Sequence, residues 1–125
     1  MRRTALLTTL LLAVCSLSAT AQRFTVDGFT YQPIGGDRVA LVESSVQEGE
    51  VTLPQSVVND GKTYVLTTIG ESVFANSTIT SVDMPTTVTK IGKEAFHYCM
   101  SLVRVKGTEN VDSIMGQAFA TCRQM

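Results

Sequence analysis

The residues best suited to chemistry are few. His97 is the only histidine, two positions before Cys99, and Cys122 follows 23 residues later. A thiolate and an imidazole could form a nucleophile and its base, or begin a zinc site, but zinc needs about three or four such ligands and no second histidine exists. The acids do not fill the gap. Asp and Glu number 11 and are scattered singly, with Glu48-Gly49-Glu50 the only close pair, so neither a carboxylate dyad nor a calcium loop is formed. No glycine-rich phosphate loop and no G-x-S-x-G is present. The expectation is a non-catalytic chain with no cofactor and no metal, in which His97 is an exposed loop residue.

What positions these residues is a repeat. Ile69-Gly70-Glu71-Ser72-Val73-Phe74 recurs as Ile91-Gly92-Lys93-Glu94-Ala95-Phe96 and again as Ile114-Met115-Gly116-Gln117-Ala118-Phe119, at intervals of 22 and 23 residues. Ile79-x-x-Val82-x-Met84 returns as Leu102-x-x-Val105-x-Gly107, and Val88 with Ile91 returns as Val111 with Ile114. The two cysteines keep the same period, which explains their spacing without chemistry. They read as small buried fillers. Being one strand spacing apart, about 4.8 Å, they are also close enough to permit a disulfide.

A period of 20 to 29 residues with an L-x-x-L-x-L core signifies one strand and a short return per repeat. Val82 and Met84 point to one side of an extended segment and enter the core, while Ser81 and Asp83 point to the other. Ile91, Ala95 and Phe96 fall on one side of a helical turn, and Phe96 should stack on Phe119. The outward strand residues Glu50, Thr52, Ser81, Asp83, Arg104 and Lys106 form the candidate binding face, with Asp83 and Lys106 side by side as an ion pair.

These residues resemble the BspA-like leucine-rich repeats, whose unit reads roughly L-x-x-V-x-(I/L)-P-x-x-V-x-x-I-G-x-x-A-F-x-x-C. The string is fullest in Ile79, Val82, Met84, Pro85, Val88, Ile91, Gly92, Ala95, Phe96 and Cys99, and the resemblance covers about Val51 to Cys122. Met115 stands for Gly, Gly107-Thr108 for Ile-Pro, Val73 for Ala and Ser77 for Cys. The resemblance implies a β-rich solenoid, a right-handed coil of parallel strands. It also implies a secreted or surface-displayed module that binds or adheres to a protein or glycan on a host or neighbouring cell.

The ends of the chain carry separate signals. Met1-Arg2-Arg3, an uncharged Leu-rich run and Ala19-Thr20-Ala21 read as a secretory signal peptide over residues 1–21, with no membrane span after its removal. Leu12-Ala13-Val14-Cys15 approaches a lipoprotein motif, except that Val14 stands where a small residue belongs. Removing the leader leaves 104 residues with eight basic and eleven acidic side chains, net −3, so no basic field exists to hold nucleic acid. Residues 22–66 read as a β cap: a hairpin on Asp27-Gly28, a strand after Gly35-Gly36-Asp37, the first repeat strand at Val51, and an inserted hairpin on Asp60-Gly61. Residues 67–125 read as the repeats, the last incomplete, leaving Ile114 and Phe119 partly bare. That edge suggests self-association, or an N-terminal spacer portion of a larger surface protein. Asn76-Ser77-Thr78 and Asp112-Ser113-Ile114 resemble glycosylation motifs.

Overall fold

The structure, a computed structural model, describes residues 22–123. The leader and its lipoprotein alternative lie outside the described residues. Ten strands form: β1 (Phe24–Val26), β2 (Phe29–Gly35), β3 (Arg38–Ser44), β4 (Glu48–Thr52), β5 (Ser56–Asn59), β6 (Lys62–Ile69), β7 (Thr78–Asp83), β8 (Lys90–Ile91), β9 (Arg104–Lys106) and β10 (Ser113–Ile114). They make two sheets. One runs β1-β2-β3-β6-β8-β10 with β5 attached to β6, and the other runs β4-β7-β9.

Both hairpins turn where the Asp-Gly pairs place them. Asp27 and Gly28 have φ of 51° and 87°, and Asp60 and Gly61 have 55° and 77°. Two successive positive φ values match the right-handed twist of the flanking strands, which is why short-chain Asp followed by Gly occupies such turns. The inserted hairpin is β5–β6, antiparallel with Asn59 opposite Lys62.

Beyond β5, the ladders between repeats are parallel. Val51, Val82 and Val105 pair in one row of the second sheet, and Thr68 and Ile69 pair with Lys90 and Ile91 in the first. The upstream segment is more than a cover, because β3 pairs in parallel with β6 and sets Leu41 opposite Ile69. Leu41, Ile69, Ile91 and Ile114 therefore occupy one column, the first three fully buried and Ile114 59% exposed.

The return segment is not the helical turn that its i, i+4 spacing suggests. Ser72, Glu94 and Gln117 have φ of 56–59°, and Asn76, Tyr98 and Thr121 have φ of 61–63°. A left-handed residue cannot continue a right-handed helix. Overlapping i to i+3 turns result instead, as in Ala95 N–H to Gly92 O at 3.2 Å and His97 N–H to Glu94 O at 3.1 Å. The amides freed from helix bonding reach the following repeat: Phe74 to Ala95 O at 2.8 Å, Asn76 to His97 O at 2.8 Å, Phe96 to Ala118 O at 2.7 Å and Tyr98 to Ala120 O at 2.9 Å.

One core is filled from both sheets and from the turns. Phe74 stacks on Phe96 at 5.4 Å between centroids and 11° between planes, and Phe96 on Phe119 at 5.0 Å and 6°. Burial of such rings, rather than hydrogen bonding alone, holds successive repeats together.

Candidate functional site

The outer face of β4-β7-β9 brings the six predicted residues into two rows. Glu50, Ser81 and Arg104 are adjacent in one, and Thr52, Asp83 and Lys106 in the other. Parallel strands in register place repeat equivalents about 4.8 Å apart, so this proximity follows from the period. Glu50, Thr52, Arg104 and Lys106 are exposed and Asp83 is half-buried. Ser81 is only 6% exposed, as suits a short side chain in the middle of a row.

Two expectations about this region need correction. Asp83 and Lys106 are cross-strand neighbours but make no ion pair; among the described residues the one such contact joins Arg23 to Glu43, 3.9 Å apart and well exposed. Exposed charges in water gain little from pairing and lose side-chain freedom by it, so register alone does not bring the ends together. The face is nonetheless graded in charge. Glu48 and Glu50 lie on β4, Asp83 on the central strand, and Arg104 and Lys106 on β9.

The second correction concerns Cys99 and Cys122, which are free thiols. Each points to a carbonyl of the preceding repeat: Cys99 Sγ donates to Phe74 O at 3.0 Å and Cys122 Sγ to Phe96 O at 3.0 Å. Ser77 holds the equivalent place one repeat earlier, its Oγ 3.5 Å from Cys99 Sγ. The spacing permits a bridge, but the side-chain directions favour this ladder of donors. Burial pushes both thiols above their ordinary range. Alkylation of the native protein at neutral pH should therefore label Cys122 slowly and Cys99 only after denaturation, with both labelled in the absence of reductant. Failure to label either after denaturation would reveal a bridge.

His97 is half-buried rather than fully exposed, with its ring edge-on to Tyr98 at 4.5 Å. No group of three or more His, Cys, Asp or Glu able to hold a metal ion occurs among the described residues. Nor is any helix of the described residues long and apolar enough to cross a membrane. Of the glycosylation motifs, Asn76 and Asp112 are exposed, while Ser77 is buried and Ser113 half-buried.

Two features escaped sequence reasoning. The last strands leave apolar side chains uncovered beyond Ile114: Val103 is 55% and Met115 53% exposed. At the other end, a cavity of about 500 Å³ lies between the first hairpin and the segment after β4, with walls that include Val26, Phe29, Tyr31, Pro54 and Val57 and with Asp27 among its lining residues. Tyr31 is fully buried, and its hydroxyl has no hydrogen-bond partner. Burial, with the Asp27 charge second, pushes this phenol up to about 12. The Asp-Gly turn was visible in sequence, but the cavity behind it depends on how β1 and β2 meet a segment some thirty residues away.

Parallel ladders at a 22–23-residue period, an apolar stack of turns and an outer three-stranded sheet define a leucine-rich repeat protein. The family model described as BspA type leucine rich repeat region (6 copies) matches residues 50–125, and the chain belongs to that family. A leucine-rich cell surface protein of Faecalibacterium prausnitzii is 31% identical with a TM-score of 0.77, over 84% of this chain and 29% of its own. The chain thus spans less than a third of that protein's length. A leucine-rich repeat protein of Bacteroides capillosus is 32% identical with a TM-score of 0.75, over 82% of this chain and 78% of its own. The leucine-rich repeat protein of T. pallidum shares the fold at 22% identity and a TM-score of 0.71, over 83% of this chain and 48% of its own. No curated protein gives a significant match.

Proposed function

We propose that this protein is an exported module, secreted or held at the cell surface, whose repeats wind as a right-handed solenoid. It binds a protein or glycan of a host or neighbouring cell by surface contact, without catalysis. The observation that carries this reading is the graded face, acidic at Glu48 and Glu50 on β4 and basic at Arg104 and Lys106 on β9, presented by three strands in register. An array of opposed charges held in register selects the orientation of a partner more than it adds affinity. Surface display is supported by the kinship with a cell surface protein.

The test is capture of the protein on immobilised matrix proteins and mucin-type glycans, comparing wild type with Asp83→Ala plus Lys106→Ala. About a tenfold loss of capture is expected, because two charges at the centre and edge of the face are removed. Unchanged capture would remove this face from consideration.

A second reading makes the chain an N-terminal spacer of a larger surface protein, favoured by the small share of the Faecalibacterium protein that it covers. The size of the native product on an immunoblot separates the two. In either setting the β9 and β10 edges, with Ile114 bare, would support self-association.

A further inference from the structure

The cavity at the first hairpin has a composition unlike that of the binding face. Its wall is apolar and aromatic, from Val26, Phe29, Tyr31, Pro54 and Val57, and its only charged lining residue is Asp27. Its volume of about 500 Å³ falls within the range of small-molecule sites. Asp27 is exposed and makes no ion pair among the described residues. Tyr31 backs this wall fully buried, its hydroxyl sealed from water. A chain that buries an aliphatic stem against Val26, Phe29, Pro54 and Val57, and ends in a cation beside the one carboxylate, suits this apolar wall and its single charge. The apolar wall covers the stem, and the carboxylate neutralises the cation as water is removed. A neutral apolar ligand would leave Asp27 unused, and an anion would be repelled by it.

We propose that this cavity is a binding site for an alkylammonium group, with Asp27 as its counter-ion and Val26, Phe29 and Val57 holding the stem. Two sources share that chemistry: a free primary amine and the lysine side chain of a protein partner. The site meets the β4-β7-β9 face at Thr52, which also lines the cavity, but its apolar wall and Asp27 do not depend on the charged rows of that face binding anything.

The experiment is a titration of the isotope-labelled protein, followed through its backbone amide resonances at neutral pH. The probes are n-butylamine, 1-butanol and Nα-acetyl-lysine methylamide. Butylammonium should shift the amides of Val26, Asp27, Val57 and Val58 saturably, and butanol, with the same stem and no charge, should bind about tenfold more weakly. Asp27→Asn should lower butylammonium affinity by about the same factor. Asparagine tolerates the positive φ of this turn, and unchanged resonances elsewhere would show that the hairpin is intact. Binding of the lysine derivative as tightly as butylammonium identifies a protein side chain as the occupant, and binding of butylammonium alone identifies a small amine. Absence of shifts at these amides in tens of millimolar butylammonium, equal binding of butanol, or unchanged affinity in Asp27→Asn would each overturn the assignment.

Discussion

Replacing Phe96 by alanine should cost about 3–5 kcal/mol, much of the stability that a domain of this size possesses. The ring is fully buried and stacked on both faces, by Phe74 at 5.4 Å and Phe119 at 5.0 Å. Truncation opens a cavity shared by three repeats, and Phe74 cannot close it without leaving its own hydrogen-bonded turn, since its amide donates to Ala95 O of the following repeat. Urea unfolding followed by circular dichroism measures the loss. Phe119→Ala is the control, because its ring is only half-buried and touches one neighbour in the column. Equal losses for the two variants would mean that the stacked column is not what holds the repeats together.

Gly92→Ala should be nearly as damaging, at about 3 kcal/mol or more, through a different mechanism. A methyl group at Gly92 would lie 2.8 Å from the Gly70 carbonyl carbon, 2.8 Å from Ile69 O and 3.0 Å from Glu71 N. All three are backbone atoms of the preceding repeat, so no side chain can move aside. The Gly92 amide also donates to Ile69 O at 2.7 Å, which fixes the separation. Relief requires parting the β6–β8 ladder at its C-terminal end. Gly116, one position further along its repeat, supplies the contrast: nothing lies within 4 Å of a methyl group placed there and its φ is not positive. Gly116→Ala should leave the thermal midpoint unchanged or raise it slightly, since alanine restricts the unfolded chain. A Gly116→Ala variant as unstable as Gly92→Ala would show that backbone proximity is not the cause.

Much of this organisation was legible because the period is a property of composition along the chain. The phenylalanine column, the inward Val82 and Met84, the two Asp-Gly turns and the inserted hairpin all follow from residue type and spacing. Each is local, or is repeated at a fixed interval. The errors arise where geometry overrides spacing. Glu94 and Tyr98 adopt left-handed φ although neither is Gly or Asn, so the return segment has helical periodicity without a helix. Leu41 joins the isoleucine column through parallel pairing of β3 with β6, which no repeat in sequence announces. Asp83 and Lys106 are neighbours by register, yet the ends of exposed side chains remain apart. Gly107, which departs from the repeat, proves to be required: its φ is 88°, and a side chain there would fall on the Met84 carbonyl.

The bonds between repeats have a further implication. Corner amides donate backward, from Gly70 to Leu41 O, Gly92 to Ile69 O and Met115 to Ile91 O, whereas turn amides such as Phe74, Asn76, Phe96 and Tyr98 donate forward. Every repeat therefore offers its neighbour a fixed alternation of donors and acceptors written in the main chain. An inverted neighbour would set amide against amide and carbonyl against carbonyl at both places. Orientation is thus guarded by main-chain atoms that every residue but proline supplies. Side chains can then drift, with Ser77 for cysteine, Val73 for alanine and Met115 for glycine, while the stacking order survives.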